Sequence, residues 1–185
     1  MHSAPLGHPT TIGALQAGGC FAIDWHGRTL IGIKIVDDFA AHPIASCAVL
    51  WPGLPELGNR PGFLDETFAP ATGVFALNET TIVPTSDLAF WRVGSDVGAE
   101  AGTVIHVRER LMLGVARRNG KVACIDLAAG KTVMLPENLP LLHVGAWRLV
   151  HKAPGGWETL FDYRCSPAKS PAQRVGEQPI TADPA

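Results

Sequence analysis

The sequence predicts a mainly β protein, an antiparallel meander or small barrel, and three observations carry that expectation. Apolar residues alternate with others along several short runs, a spacing that puts them on one side of a pleated strand. Glycine-rich turn pairs separate those runs at short intervals. With 185 residues, 46% of them apolar, the chain can fill a core without a disulfide or metal.

Residues 1–11 hold two prolines and no long apolar run, and read as a flexible tail. From Cys20 to His26, Phe21, Ile23 and Trp25 share one face. His26-Gly27 is a candidate two-residue turn into 28–36, where Ile31, Ile33 and Ile35 line up. The stretch 52–98 carries Pro52, Pro55, Pro61, Pro70 and Pro84, so its regular elements are expected to be short. One or two short helices are predicted there: a single turn over 61–68 beginning at Pro61, and two turns over 86–93 capped by Thr85.

The second half is more regular. Residues 103–108 alternate, Leu111, Leu113 and Val115 follow, and Asn119-Gly120 reads as a type I′ turn into 121–127. Ala128-Ala129-Gly130 turns into 131–135, and a last pair, 141–150 and 157–163, flanks Pro154-Gly155-Gly156. Residues 12–165 are thus expected to form one β domain, with 166–185, rich in proline, as a disordered tail. The segment 119–133 resembles one hairpin of a quinoprotein-type β-propeller blade. It occurs once, whereas a propeller takes at least four blades of roughly 40 residues, so the resemblance extends to the hairpin alone.

An internal repeat is also expected. Residues 28–35 align with 110–117, each preceded by an Ala-Gly pair (Ala17-Gly18, Ala101-Gly102) and followed by an apolar run into prolines. The offset stays between 82 and 85, as two duplicated β half-units over 13–60 and 99–150, joined by 61–98, would leave it.

Composition narrows the function. The net charge of -2 and a single basic cluster, Arg108, Arg110, Arg117, Arg118 and Lys121, argue against nucleic acid as a partner, because that binding depends on cations displacing counterions. No leader-like or membrane-length apolar run is found, so a cytoplasmic chain with reduced cysteines and no membrane partner is expected, and the Asn78-Glu79-Thr80 sequon carries no weight. Neither a Walker loop nor a complete dinucleotide fingerprint occurs, and no cofactor is expected.

Candidate catalytic residues are few. Asp24 and His26, two apart on one strand, share a face, and His106 lies in the matching strand of the second half. His42 and Cys47 offer an imidazole near a thiol, the pairing that activates a thiolate, although Cys47 sits in an apolar run. No metal site is expected. Trp25, Arg28, Trp91 and Arg92 are candidate binding residues, since Trp and Arg dominate interaction hot spots; Trp51, Trp147 and Trp157 are expected in the core. With 17% charged residues and no catalytic motif, the chain reads as a non-catalytic protein-binding or assembly module whose partner is itself or another protein. The alternative is a small hydrolase or ligand-binding barrel with a His/Asp/Cys cleft.

Overall fold

A computed structural model describes residues 7–37, 44–64, 68–77, 79–94, 100–135 and 141–165. His42 and the segment 166–185 lie outside the described residues. Fifteen strands follow in chain order, the first seven being β1 (His8–Thr11), β2 (Cys20–Trp25), β3 (Arg28–Asp37), β4 (Ile44–Leu54), β5 (Arg60–Leu64), β6 (Gly73–Leu77) and β7 (Thr80–Pro84). The remaining eight are β8 (Trp91–Gly94), β9 (Val104–Val107), β10 (Arg110–Ala116), β11 (Val122–Asp126), β12 (Lys131–Val133), β13 (Leu141–Val144), β14 (Ala146–Ala153) and β15 (Gly156–Arg164).

The mainly β expectation holds, but the helices do not form. Pro55–Leu57 and Leu88–Phe90 are single 3-10 turns, and Asp87 rather than Thr85 caps the second by accepting from the Ala89 N–H. Residues 60–64 are strand β5, and 91–94 are strand β8. A two-turn helix gains too few hydrogen bonds to offset its nucleation cost, whereas Trp91 and Val93 gain a ladder against β13. His8–Thr11, expected in a tail, pairs with β6. The type I′ turn lies at His26-Gly27, both with positive φ (51° and 75°). At Asn119-Gly120 only the glycine takes positive φ, and its N–H closes a turn onto the Arg117 carbonyl.

Two pairing patterns recur. In the first, β1 pairs β6, β6 pairs β2, β2 pairs β3, β3 pairs β4 and β4 pairs β5. In the second, β8, β13, β9, β10, β11 and β12 pair in the same succession. The two are joined by parallel contacts at single residue pairs, Gly62 with Ala116 and Val36 with Lys131. Followed from strand to strand, β3–β4–β5–β10–β11–β12 returns to β3. The third strand set is β15–β14–β7, in which Ile82 pairs with Leu149.

The core divides accordingly. A central cluster takes Ile33 and Ile35 from β3, Leu113 and Val115 from β10, Ala48 and Ile125, and the inner face of the three-stranded sheet through Ile82, Trp147 and Leu149. Outside it lie two satellites, one with Phe21, Cys47 and Val74, the other with Ile105, Cys124 and Leu141. Strands β2, β3 and β9 therefore bury both faces, which explains their nearly continuous apolar sequences. No described helix is long and apolar enough to cross a membrane.

Close backbone approach makes Gly130 irreplaceable. It has φ +61°, and a Cβ there would collide with the Gly18 nitrogen and the Ala17 carbonyl carbon. Gly120 also has positive φ (+76°) but open space around it. Gly120→Ala should therefore cost about 1 kcal/mol in urea unfolding, and Gly130→Ala on the order of 3 kcal/mol or more. Equal midpoints for the two variants would refute this packing.

Candidate functional site

The sequence-predicted residues take separate places. Asp24 is the next-to-last residue of β2, and its Oδ1 accepts the Gly27 N–H at 3.1 Å, so its carboxylate caps the His26-Gly27 turn. His26 follows at that turn, its ring edge-on to Trp25 at 4.9 Å. His106 is exposed on β9, between Leu111 and Leu142 in the ladder. Cys47 is buried on β4, and burial pushes its thiol up to about 12 against a smaller opposing pull from Lys34. A protonated, buried thiol is a poor nucleophile. Among the described residues no three His, Cys, Asp or Glu are grouped to hold a metal ion.

The candidate binding residues are largely engaged within the chain. Trp25 packs edge-on against Phe68 at 5.0 Å, while Arg28 is exposed beside the turn. The Trp91 indole N–H donates to the Thr85 carbonyl at 2.8 Å, and Arg92 pairs with Glu100 at 2.9 Å. The remaining tryptophans divide differently from expectation. Trp147 is core, but Trp157 is 59% exposed and Trp51 42% exposed. Trp51 stacks on Phe161, and Trp157 stands on the outer face of the three-stranded sheet.

Two features escaped the sequence. The first is His143 on β13, flanked in the ladder by Arg92 and Ile105 and only 1% exposed. Neither ring nitrogen has a hydrogen-bond partner. Burial lowers its pKa below the ordinary 6.5, Arg92 adds to that shift, and Glu100 opposes it. In the central cluster the Trp147 indole N–H donates to the Gly102 carbonyl at 2.8 Å, and its ring stacks on Tyr163 at 5.1 Å. Burial also raises the Tyr163 hydroxyl to about 12.

The second is a set of cavities. One of about 350 Å³ lies between the Gly18–Cys20 segment and β6–β7, lined by Gly18, Gly19, Cys20, Ala76, Glu79 and Thr80 among others. Another of about 340 Å³ opens on the outer face of the three-stranded sheet, with Val83, Arg148, Val150 and Trp157 around it. Both have the volume of a small-molecule or side-chain pocket. The space beside Cys47 is about 50 Å³, room for a water or two. The lining of the first cavity comes from three separate stretches of chain, a convergence that leaves no periodic mark in a sequence.

The chain matches no family model, and no curated protein or solved structure is similar to it.

Two expectations follow. Because the folded state resists protonating His143, its pKa there lies below the unfolded value. Stability from this group is full above about pH 6.5 and falls as pH drops through that value, where only the unfolded chain takes the proton. His143→Leu should reduce the acid-side loss of Tm between pH 7.5 and 5 and leave stability at pH 7.5 equal or higher, since an orphaned polar group is removed. An undiminished acid-side loss in the variant would count against the assignment. The second concerns thiols. At pH 8 an aromatic disulfide reagent should label half-exposed Cys165 rapidly, and Cys20, Cys47 and Cys124 only as the protein unfolds. Fast labelling of Cys47 in the folded protein would restore the nucleophile reading.

Proposed function

We propose that this chain is a non-catalytic protein-binding or assembly module, a subunit of a homo-oligomer or of a larger complex. Its contact surface is the outer face of the β7–β14–β15 sheet. The observation that carries the reading is Trp157, a large ring left 59% exposed at the edge of a cavity shared with Val83, Val150 and Arg148. A tryptophan ring and an arginine around a hollow, on a chain with few charges, match the residue types of an interface core. β7 is also an edge strand among the described residues, and an exposed edge invites pairing with another chain. The candidate catalytic residues lend the hydrolase alternative no comparable support. Asp24 is committed to a turn, and among the described residues the charged group acting on the Cys47 thiol is Lys34.

The scaffold we propose is a duplication closed into a six-stranded barrel, β3–β4–β5–β10–β11–β12. Matching registers support it. Gly18 and Lys34 exchange hydrogen bonds through Gly19 as Gly102 and Gly114 do through Thr103. Cys20 faces Ile33 as Val104 faces Leu113, Ala76 lies between His8 and Phe21 as His143 lies between Arg92 and Ile105, and Gly62 meets Ala116 as Lys131 meets Val36. Cys47 and Cys124 then occupy one position in the two units, each a buried thiol in a satellite cluster. These registers favour units over about 8–84 and 92–151, wider than 13–60 and 99–150.

Light scattering or native mass measurement of the full chain tests the assembly reading. The expected mass is a multiple of 19.6 kDa, or that mass plus a co-purifying protein. Trp157→Asp should return it to the single-chain value with less than about 1 kcal/mol of lost stability, as for an exposed site. A strictly single-chain mass for the unaltered protein, with nothing bound, defeats the proposal.

A further inference from the structure

The matched registers make an approximate two-fold relation, and its axis passes the Ile82–Leu149 pair. Stepping two residues from that pair reaches Thr80 on β7 and Trp147 on β14, each three residues beyond the matched ladder positions Leu77 and Val144. The relation therefore exchanges Thr80 with Trp147, Ala76 with His143, and Gly18 with Gly102.

The consequence lies in volume. In the second unit the Trp147 indole fills part of the central cluster, and its N–H is satisfied by the Gly102 carbonyl at 2.8 Å. In the first unit the small Thr80 side chain stands in its place. What remains there is the cavity of about 350 Å³, with Gly18, the counterpart of Gly102, in its wall. The fold thus holds an occupied and an emptied version of one site, and the occupied one states which ring fits and where its donor goes.

We propose that the cavity between Gly18–Cys20 and β6–β7 binds a planar aromatic ring carrying an N–H donor, an indole or a heteroaromatic of that size, placed as Trp147 is placed in the other unit. The N–H donates to the Gly18 carbonyl, and the ring face packs against Ala76 and Thr80. Glu79, held at 2.8 Å by Lys152, sits at the lining and admits a donor substituent on the ring rather than an anionic one. The inference rests on the registers and on the cavity. It does not depend on the assembly surface, which is the opposite, outer face of the small sheet.

The ring has two sources: a free small molecule, or a tryptophan side chain of an extended peptide. The β7 edge turned away from β14 would receive such a peptide. The Thr85 N–H donates to Ala146 and the Lys152 N–H to Glu79, so the odd-numbered residues face β14, and Thr80 and Ile82 point their backbone groups the other way.

Amide NMR titration of the full chain decides the matter. Indole should give saturable shifts at Gly18, Gly19, Ala76 and Thr80, and 1-methylindole, which lacks the donor, should bind at least tenfold more weakly. Thr80→Trp, which refills the cavity from within, should abolish the indole shifts; Ala76→Leu serves where that variant does not fold. A peptide of alternating Thr and Val around one Trp completes the set. Tighter binding than indole, with slowed exchange at the Thr80 and Ile82 amides, assigns the ring to a partner's side chain; binding no tighter than indole assigns it to a free molecule. Absence of saturable shifts at millimolar indole overturns the proposal, as does equal binding of 1-methylindole or undiminished binding by both cavity-filling variants.

Discussion

Everything in this architecture depends on satisfying the outer edges of two β meanders. Each meander, left alone, would end in a short strand (β5 or β12) with a row of unpaired amides, and would leave one edge of β3 or β10 open. Buried or half-buried backbone groups without partners are costly, and open edges invite aggregation. The chain resolves this by exchange: β5 lies parallel to β10 and β12 parallel to β3, each through a single residue pair. The junctions are small in hydrogen bonds but fix where every other strand falls. They bring Ile33, Ile35, Leu113 and Val115 to one interior, and set Gly130 so tightly against Gly18 that Gly130 has no room for a side chain.

Much of the fold was legible because period-2 alternation is a local property. The β2–β3 and β14–β15 hairpins and the turn at 128–130 follow from it directly. The middle segment departs from the helices expected at 61–68 and 86–93 because its strands are held by partners distant in sequence. Pro61 instead sits in β5, next to a parallel partner that no local pattern announces. The proposed repeat is half visible in the sequence. Matched hydrogen bonds at Gly18 and Gly102 agree with the two Ala-Gly pairs, but the ladders give Ile33 the register of Leu113, two residues off the alignment of 28–35 with 110–117. Register is a property of pairing, and a single sequence does not contain its pairings.

The site was less legible than the fold. Asp24, His26 and Cys47 drew notice for their chemistry, yet a carboxylate capping a turn and a thiol in an apolar cluster are ordinary structural uses of those groups. His143 gave no signal, since a histidine between two leucines and a valine reads as part of a strand. The cavity beside Gly18 and Thr80 gave no signal either, because its lining comes from segments far apart in the chain. Exposure of Trp51 and Trp157 was equally hidden, because a tryptophan on a strand looks the same whichever face it takes.

The parallel junctions also bear on how the chain is made. A ribosome delivers β3 and β5 well before β10 and β12, with about seventy residues separating the end of β5 from the end of β12. At roughly 5–20 residues per second, the nascent β3–β5 segment waits on the order of 4–14 s with those edges unmatched. For that interval the newborn polypeptide presents bare strand borders to its neighbours on a polysome, so the step that forms the parallel junctions is also the one most exposed to capture by a holding chaperone or by a second nascent copy.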